Sequence, residues 1–232
     1  MVTAIILAAG SGSRAQSEIP KQFADLAGRP VLAWSLAAFQ KSPRVDAIIV
    51  VAAQPYFSEV DKIVKDYSIT KFKALTEGGA RRQDSSRNAL SAMVFGDDDI
   101  LLFHDAARPM LSQSTIANCI DSVAHTGAAA SVIPSADTIY VCEKGDLVKI
   151  PDRNKIYCAQ TPQAFTFSII KQAHDKADAD GITVTDEISL VHSLGKPVKL
   201  FAGDHFAMKI TEPEDFVRAA ALAESCFPFP SK

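Results

Sequence analysis

The residues best suited to chemistry stand in LAAGSGSRAQSEIPKQF, from Leu7 to Phe23. Gly10 and Gly12 let backbone N–H groups come close to oxygen atoms, and Arg14 and Lys21 add two cations, a combination that suits a triphosphate. Two better-known loops are excluded. Gly10-Ser11-Gly12-Ser13-Arg14-Ala15 satisfies the dinucleotide pattern G-x-G-x-x-G/A, but that pattern needs a long helix directly after it and an acidic strand end about 20 residues on. Pro20 would break such a helix, and the next strand-like run arrives only at Ala47, which argues against an NAD-dependent oxidoreductase. The P-loop spacing G-x-x-x-x-G-K-[ST] is not met either. Ser11 to Gln22 therefore reads as a long glycine-rich loop that carries Arg14 and Lys21 over a ligand.

Other chemistries find little support. The histidines, His104, His125, His174, His192 and His205, show no H-x-x-x-H or H-E-x-x-H spacing, so a zinc site is not expected. Cys119, Cys142, Cys158 and Cys226 show no C-x-x-C spacing; reduced thiols are expected, with Cys142 and Cys158 as buried small hydrophobes. Asp105 ends an apolar run, the place where ligands bind in α/β proteins, and Arg108 follows where it can orient that carboxylate.

The elements that hold these residues follow from the hydrophobic pattern. Apolar runs at Ala4–Ala8, Ala47–Ala52, Phe72–Leu75, Ile100–Phe103, Ala129–Ile133 and Val198–Phe201 read as strands. Between them, Val31–Gln40, Tyr56–Asp66, Ser86–Val94 and Thr115–His125 carry helical spacing, with Asp84 as a helix N-cap. This alternation predicts an α/β, Rossmann-like fold: an open, mostly parallel sheet with helices on both faces. Thr211-Glu212-Pro213-Glu214 marks the start of a last helix, and the Phe-Pro segment from Cys226 reads as a tail. The alternation breaks between Asp137 and Ala159, where β-branched and aromatic residues flank the turn Glu143-Lys144-Gly145-Asp146. A β-hairpin inserted at about 135–159 is expected there. A lone hairpin is marginal in water, so a second copy of the chain is its expected support, which makes it a dimerisation arm.

The 232 residues, 47% hydrophobic and 22% charged, fit one domain, 1–232, that includes the arm. A net charge of −3 with dispersed basic residues excludes a nucleic-acid binder. The apolar start is short, lacks a basic flank and runs into glycines, so it reads as a first strand; no membrane partner and a cytoplasmic location are expected.

A-A-G-x-G-x-R followed by P-K resembles the nucleotidyltransferase signature, and four further segments narrow the resemblance. They are Gly78-Gly79-Ala80-Arg81-Arg82-Gln83-Asp84-Ser85; His104-Asp105-Ala106-Ala107-Arg108-Pro109; Asp152-Arg153 with Gln160-Thr161-Pro162-Gln163-Ala164-Phe165; and Thr185-Asp186-Glu187 with the run from Lys209 to Asp215. Together they resemble the 2-C-methyl-D-erythritol 4-phosphate cytidylyltransferase family, over Ala8 to Asp215.

The resemblance implies that CTP and a polyol phosphate give a CDP-alcohol and pyrophosphate, with Mg²⁺ across the triphosphate. It assigns Ala8, Ala9, Gly10 and Gly12 to CTP, and gives Arg14, Lys21 and Lys209 the charge at the reacting phosphates. Backbone groups of Gly79 and Ala80 and the Ser85 hydroxyl match the turn that reads cytosine, while Arg81 and Arg82 face either phosphate or solvent. Asp105 binds acceptor hydroxyls or helps hold Mg²⁺, and Thr185 and Lys209 meet the acceptor. Thr138 and Arg153, on the arm, match positions that reach the acceptor phosphate of a neighbouring subunit, so the resemblance implies a homodimer whose Arg153 acts in catalysis. Many relatives carry Asn where this chain has Ala207. A cytidylyltransferase for another polyol phosphate, such as ribitol 5-phosphate, is the near alternative, and a catalytically idle nucleotide-binding module the distant one.

Overall fold

The computed structural model describes residues 1–10, 19–227 and 229. Seven strands form the central sheet: β1 (Val2–Ala8), β4 (Ala47–Ala52), β5 (Phe72–Glu77), β6 (Ile100–Asp105), β7 (Ala128–Pro134), β10 (Tyr157–Thr166) and β11 (Lys199–Ala202). Their order is β11-β7-β10-β6-β1-β4-β5. Two small ribbons pair β2 (Asp25–Leu26) with β3 (Arg29–Pro30), and β8 (Val141–Glu143) with β9 (Asp146–Lys149). The helices are α1 (Val31–Lys41), α2 (Phe57–Asp66), α3 (Arg82–Ala89), α4 (Gln113–Thr126), α5 (Phe167–Asp180), α6 (Glu187–Ser193) and α7 (Pro213–Ser225).

β4 is apolar from end to end because helices cover both faces, and every residue of it is buried. β1 pairs in parallel with β4 on one side and β6 on the other, so the chain reverses its direction of travel across the sheet beside β1. Such a switch point opens a crevice at the carboxyl ends of the two strands. Leu7 stands opposite Asp105 in this register, which brings the exit of β1 and the end of β6 together. β10 is antiparallel to both β6 and β7, so the sheet is mixed but mostly parallel, as expected.

Several elements depart from the sequence reading. α3 occupies Arg82–Ala89 rather than Ser86–Val94, and Val94 is 94% exposed. Its buried positions are Gln83, Ser85, Ser86 and Ala89, so polar residues make the inward face and the apolar spacing misplaces it. Asp84 is consequently not the N-cap but the third helical residue, accepting a hydrogen bond from the Arg81 backbone N–H at 3.0 Å. In α7 the box moves by one residue: Pro213 takes the first helical position, and Asp215 accepts from the N–H groups of Thr211 and Glu212. β10 and α5 lie where no element is read from periodicity, since Gln160, Pro162 and Gln163 interrupt the apolar run of the strand.

The hairpin is present, with Lys144 (φ 51°) and Gly145 (φ 93°) forming its two-residue turn. All of β8 and β9 is exposed. Cys142 and Cys158 are free and exposed rather than buried, because they sit on this arm and its root; Cys119 alone is buried. Within the segment read as a tail, Phe229 makes definite contacts. Phe229 packs edge-on against Trp34, with ring centroids 5.0 Å apart, and the Arg29 guanidinium lies 4.5 Å from its centre. No helix among the described residues is long and apolar enough to cross a membrane.

Candidate active site

At the switch point lies a cavity of about 480 Å³, and its walls come from five stretches of chain. The exit of β1 contributes Ala8, Ala9 and Gly10; the next segment Lys21 and Gln22; the turn before α3 Gly79 and Ala80. Asp105, Ser85, Arg81, Arg82 and Lys209 complete the polar lining. The structure thus brings together nine of the residues picked from sequence: Ala8, Ala9, Gly10, Lys21, Gly79, Ala80, Ser85, Asp105 and Lys209. Gly12 and Arg14 lie outside the described residues.

Gln22, which the sequence reading passed over, fixes the exit of β1. Its buried side-chain amide donates to the carbonyls of Ala8 at 2.6 Å and Gly10 at 2.9 Å. The Lys21 Nζ donates to the Ile210 carbonyl at 2.6 Å, so the chain at Lys21 is tied to the segment that carries Lys209.

The turn before α3 is built by close approach. A Cβ on Gly78 would stand 2.2 Å from the Ala9 Cβ, a distance no side chain tolerates. The Ser85 hydroxyl accepts from the Gly79 N–H at 3.0 Å and donates to the Arg81 carbonyl at 3.1 Å, closing the turn. Gly78→Ala is expected to force the β1 exit and this turn apart. Overpacking of this kind costs ~1–3 kcal/mol, so its unfolding temperature should drop together with CTP affinity. Calorimetric CTP binding beside a thermal melt checks it; wild-type values for both would contradict the close approach.

Asp105 is the electrostatic centre. Its backbone N–H donates to the Thr161 hydroxyl at 3.1 Å. One carboxylate oxygen accepts from the Arg82 Nε at 3.1 Å and the other from the Lys209 Nζ at 2.7 Å. Burial alone would push the Asp105 carboxyl up, but Arg82 and Lys209 outweigh it and hold the group well below the usual carboxylate range. Arg82 has a second partner, Glu187 at the start of α6, whose carboxylate accepts from the Arg82 Nη1 at 2.5 Å. Burial raises the Glu187 carboxyl, and Arg82 only partly offsets this. Of the two adjacent arginines, Arg82 points inward between two carboxylates, while Arg81 turns to Asp84 and the Thr183 hydroxyl.

Arg108 lies 4.0 Å from Asp105 and spends its firmer hydrogen bond on the Ala207 carbonyl at 2.8 Å, two residues before Lys209. Ala207 is fully buried, so this segment is secured through its backbone and not through a side-chain amide.

Three expected site residues stand apart from the cavity. Thr185 is exposed, and its neighbour Asp186 is the N-cap of α6, accepting from the Ser189 N–H at 3.0 Å. Thr138 is exposed between β7 and β8, and Arg153 is exposed at the arm's root, its Nη1 3.3 Å from the Ala136 carbonyl.

The donor set fits a divalent cation poorly. Each Asp105 oxygen already faces a cation, so direct ligation would require an ion pair to open. Among the described residues no group of three or more His, Cys, Asp or Glu side chains is placed to hold a metal ion.

Comparison with known proteins agrees with this architecture. The family model for 2-C-methyl-D-erythritol 4-phosphate cytidylyltransferase (IspD) matches residues 2–225. Enzymes of that name from Geotalea uraniireducens and Syntrophus aciditrophicus are similar to this chain. The first is 39% identical over 228 residues, covering 97% of both chains, and the second 40% identical over 223 residues, covering 95% of both. The crystal structure of 4-diphosphocytidyl-2C-methyl-D-erythritol synthase from Anaerococcus prevotii superposes with a TM-score of 0.85 at 27% identity, covering 97% of this chain and 98% of that one. The Thermus thermophilus cytidylyltransferase gives 0.76 at 31% identity, covering 95% and 98%. Matched over nearly its full length in sequence and in fold, the chain belongs to the 2-C-methyl-D-erythritol 4-phosphate cytidylyltransferase family.

Proposed function

We propose that this chain transfers the cytidylyl group of CTP to 2-C-methyl-D-erythritol 4-phosphate, releasing pyrophosphate. The observation that carries the reading is the convergence of Lys21, Lys209 and Arg82 on one cavity at the carboxyl ends of β1 and β6. An acceptor phosphate oxygen attacks the α-phosphorus, a new P–O bond forms, and the bond to the bridging oxygen breaks as pyrophosphate leaves with its electron pair. A phosphate monoester is largely dianionic near neutrality, its second pKa being about 6, so the nucleophile needs no general base. The work left to the protein is in-line positioning and positive charge where charge accumulates.

In this reading the backbone at Ala8, Ala9 and Gly10 lies against the triphosphate, and the turn at Gly79 and Ala80 receives the cytosine. Ser85, whose hydroxyl closes that turn, acts on the base through its shape as well as by contact. Lys21, with Gly12 and Arg14 of the loop, meets the triphosphate, while Asp105 and Lys209 face the acceptor, Asp105 toward its hydroxyls. The triphosphate oxygens would hold Mg²⁺, since Asp105 is already paired with Arg82 and Lys209, and the ion would add positive charge there.

The reading keeps one catalytic unit along the chain with the arm as its inserted part. It places Thr138 and Arg153 in the site of a second copy, since both are exposed on the arm and away from their own chain's cavity. Tyr140, Leu147, Val148 and Ile150 are each more than half exposed on the same arm, apolar surface suited to burial in a homodimer. Thr185, exposed beside the start of α6, completes the acceptor side.

Pyrophosphate release measured with CTP, UTP or ATP crossed with methylerythritol 4-phosphate or ribitol 5-phosphate tests the reading. Turnover is expected only with added Mg²⁺, and fastest with CTP and methylerythritol phosphate. Equal rates with UTP, or preference for ribitol 5-phosphate, would overturn it.

A further inference from the structure

Glu187 has no place in the reaction as described, yet its side chain is 1% exposed and ends on Arg82, a residue of the cavity wall. Four charged groups alternate in sign across the site: Glu187, Arg82, Asp105 and Lys209. They come from the start of α6, the start of α3, the end of β6 and the segment before α7. We infer that Glu187 is a positioning residue for the acceptor: by holding one arm of the Arg82 guanidinium it keeps Arg82 on a single oxygen of Asp105 and leaves the other oxygen to Lys209. This inference rests on the reading of Asp105 and Lys209 as the acceptor side of the cavity.

A guanidinium is a planar fork that takes a carboxylate by two parallel hydrogen bonds when nothing else competes. Here the fork is divided, with Nη1 on Glu187 while Nε and Nη2 both face one oxygen of Asp105, each at 3.1 Å. Removing the charge at Glu187 weakens the hold on Nη1 and lets the guanidinium turn toward Asp105, its other carboxylate partner. A bidentate Arg82–Asp105 pair would compete with Lys209 for the same group and pull the carboxylate away from acceptor hydroxyls. Neutralising one of its two carboxylates leaves the buried Arg82 with Asp105 as its remaining counter-charge, which drives that rearrangement. A simple staple between α3 and α6 would do none of this, since glutamine could hold the helices together by hydrogen bonds alone.

Four proteins separate the two roles: wild type, Glu187→Gln, Arg82→Gln and the double variant, each assayed for kcat, the KM of both substrates, calorimetric CTP affinity and thermal unfolding. Glu187→Gln is expected to raise the KM for methylerythritol phosphate about tenfold, the scale of a lost charged hydrogen bond, with CTP affinity nearly unchanged. The double variant should be no worse than Arg82→Gln, because Glu187 acts only through Arg82. Glu187→Asp, which keeps the charge, should restore part of the loss, and it replaces the glutamine variant if that protein does not fold. Lys209 gives a readout that needs no turnover: in Glu187→Gln its acetylation by acetic anhydride, followed by mass spectrometry, should be several-fold faster, with exposed Lys62 unchanged. A lower unfolding temperature with unchanged acceptor KM and unchanged Lys209 labelling would overturn the inference, as would additive losses in the double variant. Wild type inactive with every acceptor would instead count against the proposed function, while the Lys209 labelling would still decide the role of Glu187.

Discussion

Lys21→Ala is expected to lower kcat by ~10²–10³ while the KM for CTP changes little, the loss seen when one donor to a developing charge is removed. The Lys21 ammonium lines the cavity beside the β1 exit, where the α-phosphate and the leaving pyrophosphate must lie in the proposed reaction. Charge at that phosphorus is greatest in the transition state, so the cation contributes there and not in the ground state. The same nitrogen donates to the Ile210 carbonyl, one residue beyond Lys209, so part of the loss can enter through the Lys209 segment. Steady-state kinetics beside a thermal melt separates the two. A variant that melts early with a proportionate fall in active enzyme would make Lys21 a structural tie. A variant with wild-type kcat and weaker CTP binding would make it a ground-state ligand.

Refolding Lys21→Ala and Arg153→Ala proteins together is expected to restore activity that neither has alone. Arg153 is exposed, lies outside its own chain's cavity and sits at the root of an arm with exposed apolar residues on both strands. In a two-fold dimer whose arms cross, a mixed pair has one site with both lesions and one site with native Lys21 and native Arg153. Random pairing makes about half the dimers mixed, so roughly a quarter of all sites recover. Activity near that fraction, measured by pyrophosphate release on the size-selected dimer, supports the shared site. A dimeric mixture no more active than the separate variants would assign Arg153 to its own chain. A monomeric wild type would remove the arm's proposed role altogether.

Much of this architecture is written in local pattern. β4 runs Ala47–Ala52 in the structure as in the sequence reading, because a strand buried on both faces needs an unbroken apolar run and few other elements produce one. The arm's turn is equally local, since Lys144 and Gly145 adopt the positive φ angles that a two-residue hairpin requires. The glycine-rich exit of β1, Lys21 and the acid at the end of β6 were visible as types at fixed places in the chain, and backbone register alone brings Leu7 opposite Asp105.

Side-chain direction was not written there. Arg81 and Arg82 are adjacent and chemically identical, and which of them pairs with Asp105 depends on where α3 begins. The pattern misplaces that start because Gln83, Ser85 and Ser86 face inward: Gln83 donates to the Ile182 carbonyl and Ser86 to the Gln83 carbonyl. Glu187 was legible only as part of a motif. Its partner lies 105 positions earlier in the chain, and a contact of that separation exists only after α3 and α6 have packed. Local sequence thus specified which residue types stand at the carboxyl edge of the sheet, since strand periodicity and turn chemistry act over a few residues. The division of Arg82 between Glu187 and Asp105, and of Asp105 between Arg82 and Lys209, arose from packing, because buried charges take whichever partners the assembled fold brings within reach.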